Sequence, residues 1–374
     1  MRRFILALVL CGHTLLAQEK LPTIMATSKS VDILEGNNFQ KNAWTITPEA
    51  KPDIYTTSSR GKTVTFYTDK DSISVKITPT TKFDFIILLN GTAAWTEIKY
   101  EPSYLEILKT ADNYNLKDNR PIPKFTYQSK NDGNLTALRK GFKLDSIAGE
   151  GNEVSRILNL LHWVHNLIPH DGNKENPVVK NATSLISECK KGNRGLNCRG
   201  LATVLNECYL SLGIPSRFVT CMPKDSIFQD CHVINMVYSN DMKKWLWIDP
   251  TFDAYVMNEK GELLSIEEAR ERIIHDKPII LNPEANWNHK ASKTTEDYLY
   301  QYMAKNLYRM ECASENKYDN ETSKNGKVIT YVELLSLDAY NQLPQKKVKT
   351  FPKSGVTFIN YKTNNPTLFW AKPE

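Results

Sequence analysis

The spacing of hydrophobic positions changes several times along the chain, and each change marks an element. Ile73, Val75 and Ile77 alternate with Ser72, Ser74 and Lys76, which predicts a half-buried strand. Phe83 to Leu89 is a mostly apolar run closed by the turn signal Asn90-Gly91, and Val64 with Phe66 marks another strand. No helical period intervenes before Tyr104, so residues 18–105 read as a β-rich domain, a small sandwich or sheet. Residues 106–150 carry Asn, Asp, Lys, Pro121 and Pro123, and read as a linker or loop-rich crossing. At Glu153 the period becomes helical, with Val154, Ile157, Leu158, Leu161, Val164 and Ile168 on one stripe. A short helical piece follows near Thr183 to Cys189. A second strong stripe runs through Leu201, Ala202, Val204, Leu205, Cys208, Tyr209 and Leu212, until Gly213 and Pro215 stop it.

Two apolar β-rich runs come next, one opening with Asp230-Cys231-His232-Val233-Ile234 and one closing with Trp245-Leu246-Trp247-Ile248-Asp249-Pro250-Thr251. Ser265 with Glu268 three positions on is a capping box, and predicts a helix through Ile273. Residues 297–312 read as helical, with Tyr298, Tyr302 and Leu307 inside. Val328 to Tyr331 and Val356 to Ile359 read as closing strands, and Asn365 to Trp370 as a tail docked on a sheet. The domain reading is therefore a core at 151–290 and a C-terminal helix plus strands at 291–374 that pack on it. The fold class is α+β. Trp44 and Trp95, in the β-rich domain, could bind sugar or peptide, but core packing is the commoner fate of such residues.

Composition changes this picture little. Apolar residues at 41% and charged residues at 24% are ordinary for a folded protein. The net charge of +6 falls to +4 without Arg2 and Arg3. That is too mild to argue for nucleic acid as a partner, and no basic stripe with interleaved aromatics appears. The first residues matter more. Met1-Arg2-Arg3, the apolar stretch from Phe4 and the cleavage point after Ala17 read as a signal peptide over 1–17. Cys11 follows Leu10, where a lipoprotein site would want a small residue. No other run approaches a membrane span. The expected location is exported, periplasmic or extracellular.

The candidate chemistry sits where elements begin and end. Cys198 opens a helix, where the helix dipole and free N–H groups favour a thiolate and can face an oxyanion. His232 opens a strand and Asp249 closes the next, so a thiol nucleophile, a base and a group to orient the base follow in order. Opposing His232 to Asp249 in a hairpin also opposes Ile234 to Trp247 and Met236 to Trp245, with Asn240-Asp241 as a two-residue loop. All six side chains then share one face. Asn197 could lend an amide to the oxyanion or cap the Cys198 helix. Gly192, Gly195 and Asn197 would let the backbone approach closely just before Cys198.

His162 and His165 lie three apart on one helix, with His170 and Asp171 beyond. A pair on one face could ligate zinc, but no His-Glu-x-x-His signature accompanies it. Solvated or hydrogen-bonded histidines are the commoner reading, and no metal or cofactor is called for. Past Ala17 the cysteines are Cys189, Cys198, Cys208, Cys221, Cys231 and Cys312. With Cys198 free, five remain, so not all can pair. Cys221 and Cys231 sit at the near ends of neighbouring strands and could form a bridge. Cys208, in mid-helix, reads as core.

The segments NCRGLATVLNECYLSLGIPSRFVTCMP, CHVINMVY and KKWLWIDPTFDAY, in that order, resemble the transglutaminase-like core of the papain-like thiol enzymes. The resemblance rests on Cys198 opening a helix, Leu212 to Pro215 with Arg217, His232 opening a strand, and Trp245 or Trp247 with Asp249-Pro250-Thr251. It covers roughly residues 150 to 275. Members often carry Ala-Trp after the His, where this chain has Val233-Ile234. The resemblance implies a Cys-bearing helix packed on an antiparallel sheet and a catalytic triad of Cys198, His232 and Asp249. It implies an exported hydrolase or acyl-transferase acting on an amide or peptide bond through a thioester, with protein, peptide or cell-envelope material as substrate. Hydrolysis is the favoured outcome. The alternatives are a cross-linking transglutaminase, with Trp245 and Trp247 walling a tunnel for a lysine stem, and a non-catalytic module that binds a polymer or protein.

Overall fold

In the computed structural model, which describes residues 21–225, 230–339 and 341–374, the chain divides after Ser103 into two compact units. The signal-peptide reading at 1–17 lies outside the described residues.

The first unit is a sandwich of two four-stranded sheets. One sheet runs Thr23–Ala26, Lys82–Leu89, Thr92–Tyr100, Asp53–Thr57, and the other Asn38–Thr45, Ser30–Glu35, Thr63–Tyr67, Ser72–Lys76. Alternation does the work expected of it: Phe85, Ile87 and Leu89 join Ile98, Val31, Ile33, Val64 and Phe66 in a shared core. Asn90 and Gly91 form the two-residue turn between Leu89 and Thr92, with φ of 48° and 85°. Trp44 packs edge-on to Tyr55 at the margin of this core. Trp95 departs from the core reading. Its ring is 40% exposed and its indole N–H donates to Asp84 across the strand pair.

The second unit is built on a seven-stranded sheet in the order Lys244–Ile248, His232–Ser239, Ser216–Met222, Arg309–Ala313, Val328–Leu334, Val356–Thr363, Lys346–Phe351. All neighbours are antiparallel except the parallel pair Val328–Leu334 with Val356–Thr363. Helix Cys198–Ser211 lies on one face, packed through Leu201, Val204 and Leu205 with Val237, Leu246 and Ile248. Helices Glu153–Leu167 and Ala182–Gly192 cover it from outside. The other face carries Ile266, Ala269 and Ile273 of helix Ile266–Ile274, together with Tyr298 and Leu299. The capping box at Ser265 and Glu268 is present. The class is α+β. Among the described residues no helix is long and apolar enough to cross a membrane.

One expectation from the sequence changes here and two gain detail. Residues 106–150 are loop-rich, and they also hold helices Tyr104–Lys109, Gly133–Gly141 and Leu144–Ala148. Asp132 caps the second with its carboxylate, and Leu135, Leu138 and Leu144 are buried, a stripe too short for periodicity alone to reveal. Residues 297–312 are helical only to Asn306, after which Arg309–Ala313 is a strand. The C-terminal strands join the core by extending its sheet, with Arg309–Ala313 paired directly to Ser216–Met222.

Helix Cys198–Ser211 reads as amphipathic but is buried on every side from Gly200 onward. Its polar residues survive burial because each has partners. The Glu207 carboxylate accepts from the backbone N–H of Ala182 and of Asp319, and Asn206 accepts from the Ser216 hydroxyl. Burial pushes the Glu207 carboxyl up to about 8 despite those donors.

Candidate active site

Cys198 is the first residue of its helix because Asn197 caps it, with extended backbone and a side chain accepting from Gly200 N–H at 3.2 Å. Capping is thus the role Asn197 fills. Asn197 is itself clamped by Asn176, which donates to its side chain at 2.6 Å and accepts its backbone N–H at 3.1 Å. A Cβ at Gly200 would lie 2.6 Å from Asn176 Oδ1, so the clamp requires glycine there. One step earlier, Leu196 pairs with His170 in a short parallel bridge: Leu196 N–H donates to Pro169 C=O at 3.1 Å and Asp171 N–H to Leu196 C=O at 2.7 Å. Gly195 permits it, since a Cβ there would sit 2.5 Å from the Pro169 carbonyl. The close backbone approach expected before Cys198 is therefore made at Gly195, while Gly200, two residues after Cys198, makes room for the Asn176 side chain. Gly192 closes helix Ala182–Gly192.

His232 opens its strand opposite Cys221, and its Nε2 lies 2.7 Å from Asp249 Oδ2. The hairpin register differs from the expected one by two residues: Met236 pairs with Trp247 and Tyr238 with Trp245, leaving Asn240 to Lys243 as the loop. Asn-Asp lacks the glycine that a tight two-residue turn favours, and Lys243 takes the left-handed position at φ 53° instead. The Glu153 carboxylate fastens this loop, accepting from Ser239 Oγ at 2.6 Å and from the backbone of Asn240 and Asp241 at 3.1 and 3.0 Å. An even slip keeps every side chain on its face, so His232 and Asp249 still meet.

Asp249 is completely buried, and besides His232 two neighbours hold its carboxylate, one of them steadied by Trp247. Its Oδ2 also accepts from the Tyr298 hydroxyl at 2.6 Å, its Oδ1 accepts Thr251 N–H at 2.9 Å, and Trp247 donates to the Tyr298 oxygen at 3.0 Å. Tyr298 comes from a π-helical segment, Glu296–Met303. The rings of Tyr302 and Phe252 stand 5.2 and 5.5 Å from His232 and leave it 1% exposed.

The half-buried Cys198 thiol lies within reach of the His170 and His232 imidazoles and of the Val233 N–H, each of which favours its thiolate. With Nε2 of His232 committed to Asp249, Nδ1 is the nitrogen left for the sulfur. Burial alone would raise the thiol pKa. The two imidazoles, the charge on His232 and Val233 N–H together outweigh it and bring Cys198 from 9.0 down to about 6. Burial opposes the charged form of His232, yet the Asp249 carboxylate and the Cys198 sulfur carry it from 6.5 up to about 10. The other cysteines go the opposite way: burial pushes up Cys189, Cys208, Cys221, Cys231 and Cys312. All six are free thiols, so the Cys221–Cys231 bridge is not formed. Cys221 lies buried between strands, opposite His232, while Cys231 precedes the strand. The arrangement provides a thiolate and an imidazolium in contact, the form a sulfur nucleophile needs near neutral pH.

The other histidines are dispersed. His162 pairs with Asp253 at 2.6 Å, and His165 bonds Pro250 C=O at 3.0 Å and Asn286 at 3.1 Å. Among the described residues no group of three or more His, Cys, Asp or Glu is arranged to hold a metal ion. His170 is the residue that sequence reasoning missed, being noted only as a companion of His162. Nothing in its spacing from Cys198 marks it; only the bridge to Leu196 does.

The sequence model of the transglutaminase-like superfamily matches residues 141–250. No curated protein matches the chain. Among solved structures, a "putative cysteine protease" from Cytophaga hutchinsonii is 18% identical over 32% of this chain and 43% of its own, with a TM-score of 0.24. A "putative protease" from Parabacteroides distasonis is 16% identical over 31% and 25%, with a TM-score of 0.22. Red sea bream transglutaminase is 12% identical over 62% and 49%, with a TM-score of 0.21. This chain thus spans less than half the length of each of those chains. Residues 141–250 form a transglutaminase-like superfamily domain, and Cys198, His232 and Asp249 all lie within it.

Proposed function

We propose that the protein is a thiol enzyme that hydrolyses an amide bond in a protein or peptide, with Cys198 as nucleophile, His232 as proton shuttle and Asp249 as the group that orients it. The observation that carries this reading is the placing of a helix-terminal thiol beside His232, whose far nitrogen lies 2.7 Å from a buried carboxylate. The Cys198 thiolate attacks the carbonyl carbon, forming an S–C bond while the C=O pair moves to oxygen. On collapse the C–N bond breaks, and the leaving amine takes the His232 Nδ1 proton. A water deprotonated by the now neutral His232 then attacks the thioester, releasing a carboxylic acid and restoring the thiolate.

Water, rather than an amine, is the proposed acceptor. Cross-linking needs an apolar channel for a lysine stem, and Trp245 and Trp247 were the candidates for its walls. Both are buried, at 5% and 1% exposure, and both indoles are spent internally, on Trp370 C=O and on Tyr298. This supports packing rather than a channel. Export is part of the proposal and rests on residues 1–17; sequencing the N-terminus of the mature protein tests it. The activity is tested by incubating the protein with a peptide pool, with and without a large excess of a primary amine. Mass analysis is expected to find mainly free carboxylate in both cases, lost in Cys198→Ala. Mostly amine adduct would make the protein a transferase. No product dependent on Cys198 would favour a binding module.

A further inference from the structure

We propose that His170 is a fourth catalytic residue, whose Nε2–H holds the oxyanion that forms when Cys198 attacks, and that Trp287 is the positioning residue that fixes its tautomer. The inference rests on the thiol-enzyme reading above and adds a group that reading does not use. The backbone of His170 is tied on both sides. It bridges Leu196, two residues before the nucleophile, and Asn288 accepts its N–H at 2.7 Å and donates to its C=O at 2.9 Å. Its ring has little freedom: Trp287 Nε1 lies 3.1 Å from Nδ1, and a Cβ at Gly172 would come within 3.3 Å of Cε1.

The indole N–H is a donor and never an acceptor. Nδ1 of His170 must therefore be the acceptor, which places the ring proton on Nε2. That N–H is what remains for the hydrogen bond to the Cys198 sulfur. His232 has the opposite arrangement, with a carboxylate on Nε2 and the sulfur on its other nitrogen. One imidazole is thus built to carry a charge and shuttle a proton, and the other to present a fixed donor, a division of labour set by what each ring's far nitrogen meets. When the S–C bond forms, the carbonyl oxygen becomes negative two bonds away from the sulfur. The Nε2–H of His170 passes from sulfur to that oxygen, alongside N–H groups of the helix's first turn other than that of Gly200, which Asn197 caps.

The test separates attack on a carbonyl from reactivity of the thiol as such. Acylation of Cys198 by p-nitrophenyl acetate passes through an oxyanion, whereas alkylation by iodoacetamide does not. Both need the thiolate, so their ratio isolates the oxyanion. His170→Ala is expected to lower that ratio about a hundredfold, and His170→Gln, which keeps an N–H donor, to recover to within about tenfold of the native protein. Trp287→Phe keeps a ring but loses the donor. In nitrogen NMR the native His170 is expected to show a protonated Nε2 and a bare Nδ1, and Trp287→Phe a mixture of tautomers with an intermediate ratio. An unchanged ratio in His170→Ala, or a protonated Nδ1 in the native protein, overturns the assignment while leaving Cys198 and His232 in place. If Cys198 of the native protein takes neither probe, the thiol-enzyme reading falls and this assignment falls with it.

Discussion

The groups proposed to do the chemistry and the groups that hold them come from different parts of the second unit. Cys198, His232 and Asp249 stand at the ends of one helix and two adjacent strands, inside the stretch that matches the superfamily. Trp287, Tyr298 and Tyr302 lie beyond it, in a two-residue strand and a π-helical segment. His170 falls inside the match, but in a loop. The proposed triad is thus borne by regular elements whose termini point into the site, and His170 and the supporting groups by irregular structure that reaches it through hydrogen bonds and ring contacts. π-Helical turns are rare and recur where a side chain must be aimed, as Tyr298 is at Asp249.

This comparison breaks if the two sets of residues respond alike to substitution. The largest effect is expected from Cys198→Ala, which removes the thioester and all turnover. His232→Ala should lower acylation by p-nitrophenyl acetate on the order of 10⁴-fold, because base and ion-pair partner go together. Tyr298→Phe keeps the ring against Phe252 and deletes one of the hydrogen bonds to the Asp249 carboxylate. A hydrogen bond to a charged group contributes about 1.5–3 kcal/mol, so acylation should fall about tenfold or more, well short of His232→Ala. A loss as large as that of His232→Ala would erase the distinction between chemistry and support.

The smallest effect on chemistry sharpens the comparison from the other side. Glu153→Ala removes the carboxylate that fastens the loop between the His232 and Asp249 strands. Denaturant unfolding near pH 7 should show a loss of about 2 kcal/mol, with acylation per folded molecule unchanged. Burial opposes the Glu153 charge, but its hydrogen bonds to Ser239, Asn240 and Asp241 outweigh it and depress the carboxyl below 4.5. The stability it adds is therefore fully present above the unfolded value of 4.5 and is lost as pH falls through the lower folded value. The gap between native and Glu153→Ala protein should narrow in acid. A gap that widens there would contradict the contacts described.

How much of this was legible follows from the same division. The Cys198 helix declared itself because Asn197 is a capping residue and a long apolar stripe follows, and the two strands because their apolar runs end in Asp230-Cys231-His232 and Asp249-Pro250-Thr251. The faces came out right even though the register did not. A two-residue slip leaves the parity of side chains intact, and the longer loop that goes with it is fastened by Glu153, a residue remote in sequence. The burial of Glu207 was invisible, since a helix covered on all sides by other elements still carries the amphipathic pattern of a surface one. Trp95 shows the converse, an aromatic on the outer face of a sandwich, held by Asp84 across the strand pair. Tyr298 was legible as an interior residue, but neither its aim at Asp249 nor the place of His170 beside Cys198 had a signal in the sequence. Their positions depend on a backbone bridge and on a π-helical turn, both products of tertiary packing.

The ionisation of Cys198 is the most direct measure of the central claim. The rate of its alkylation by iodoacetamide should be followed against pH and assigned by peptide mass, in the native protein and in His232→Ala. The paired thiol and imidazole titrate together. The native rate is expected to rise with a midpoint near 6, and acylation should hold its plateau until His232 begins to lose its proton towards about 10. In His232→Ala the midpoint should move back towards 9.0, the ordinary value of a thiol. A native midpoint already near 9, an unshifted one in His232→Ala, or faster labelling of Cys231 than of Cys198 would contradict it.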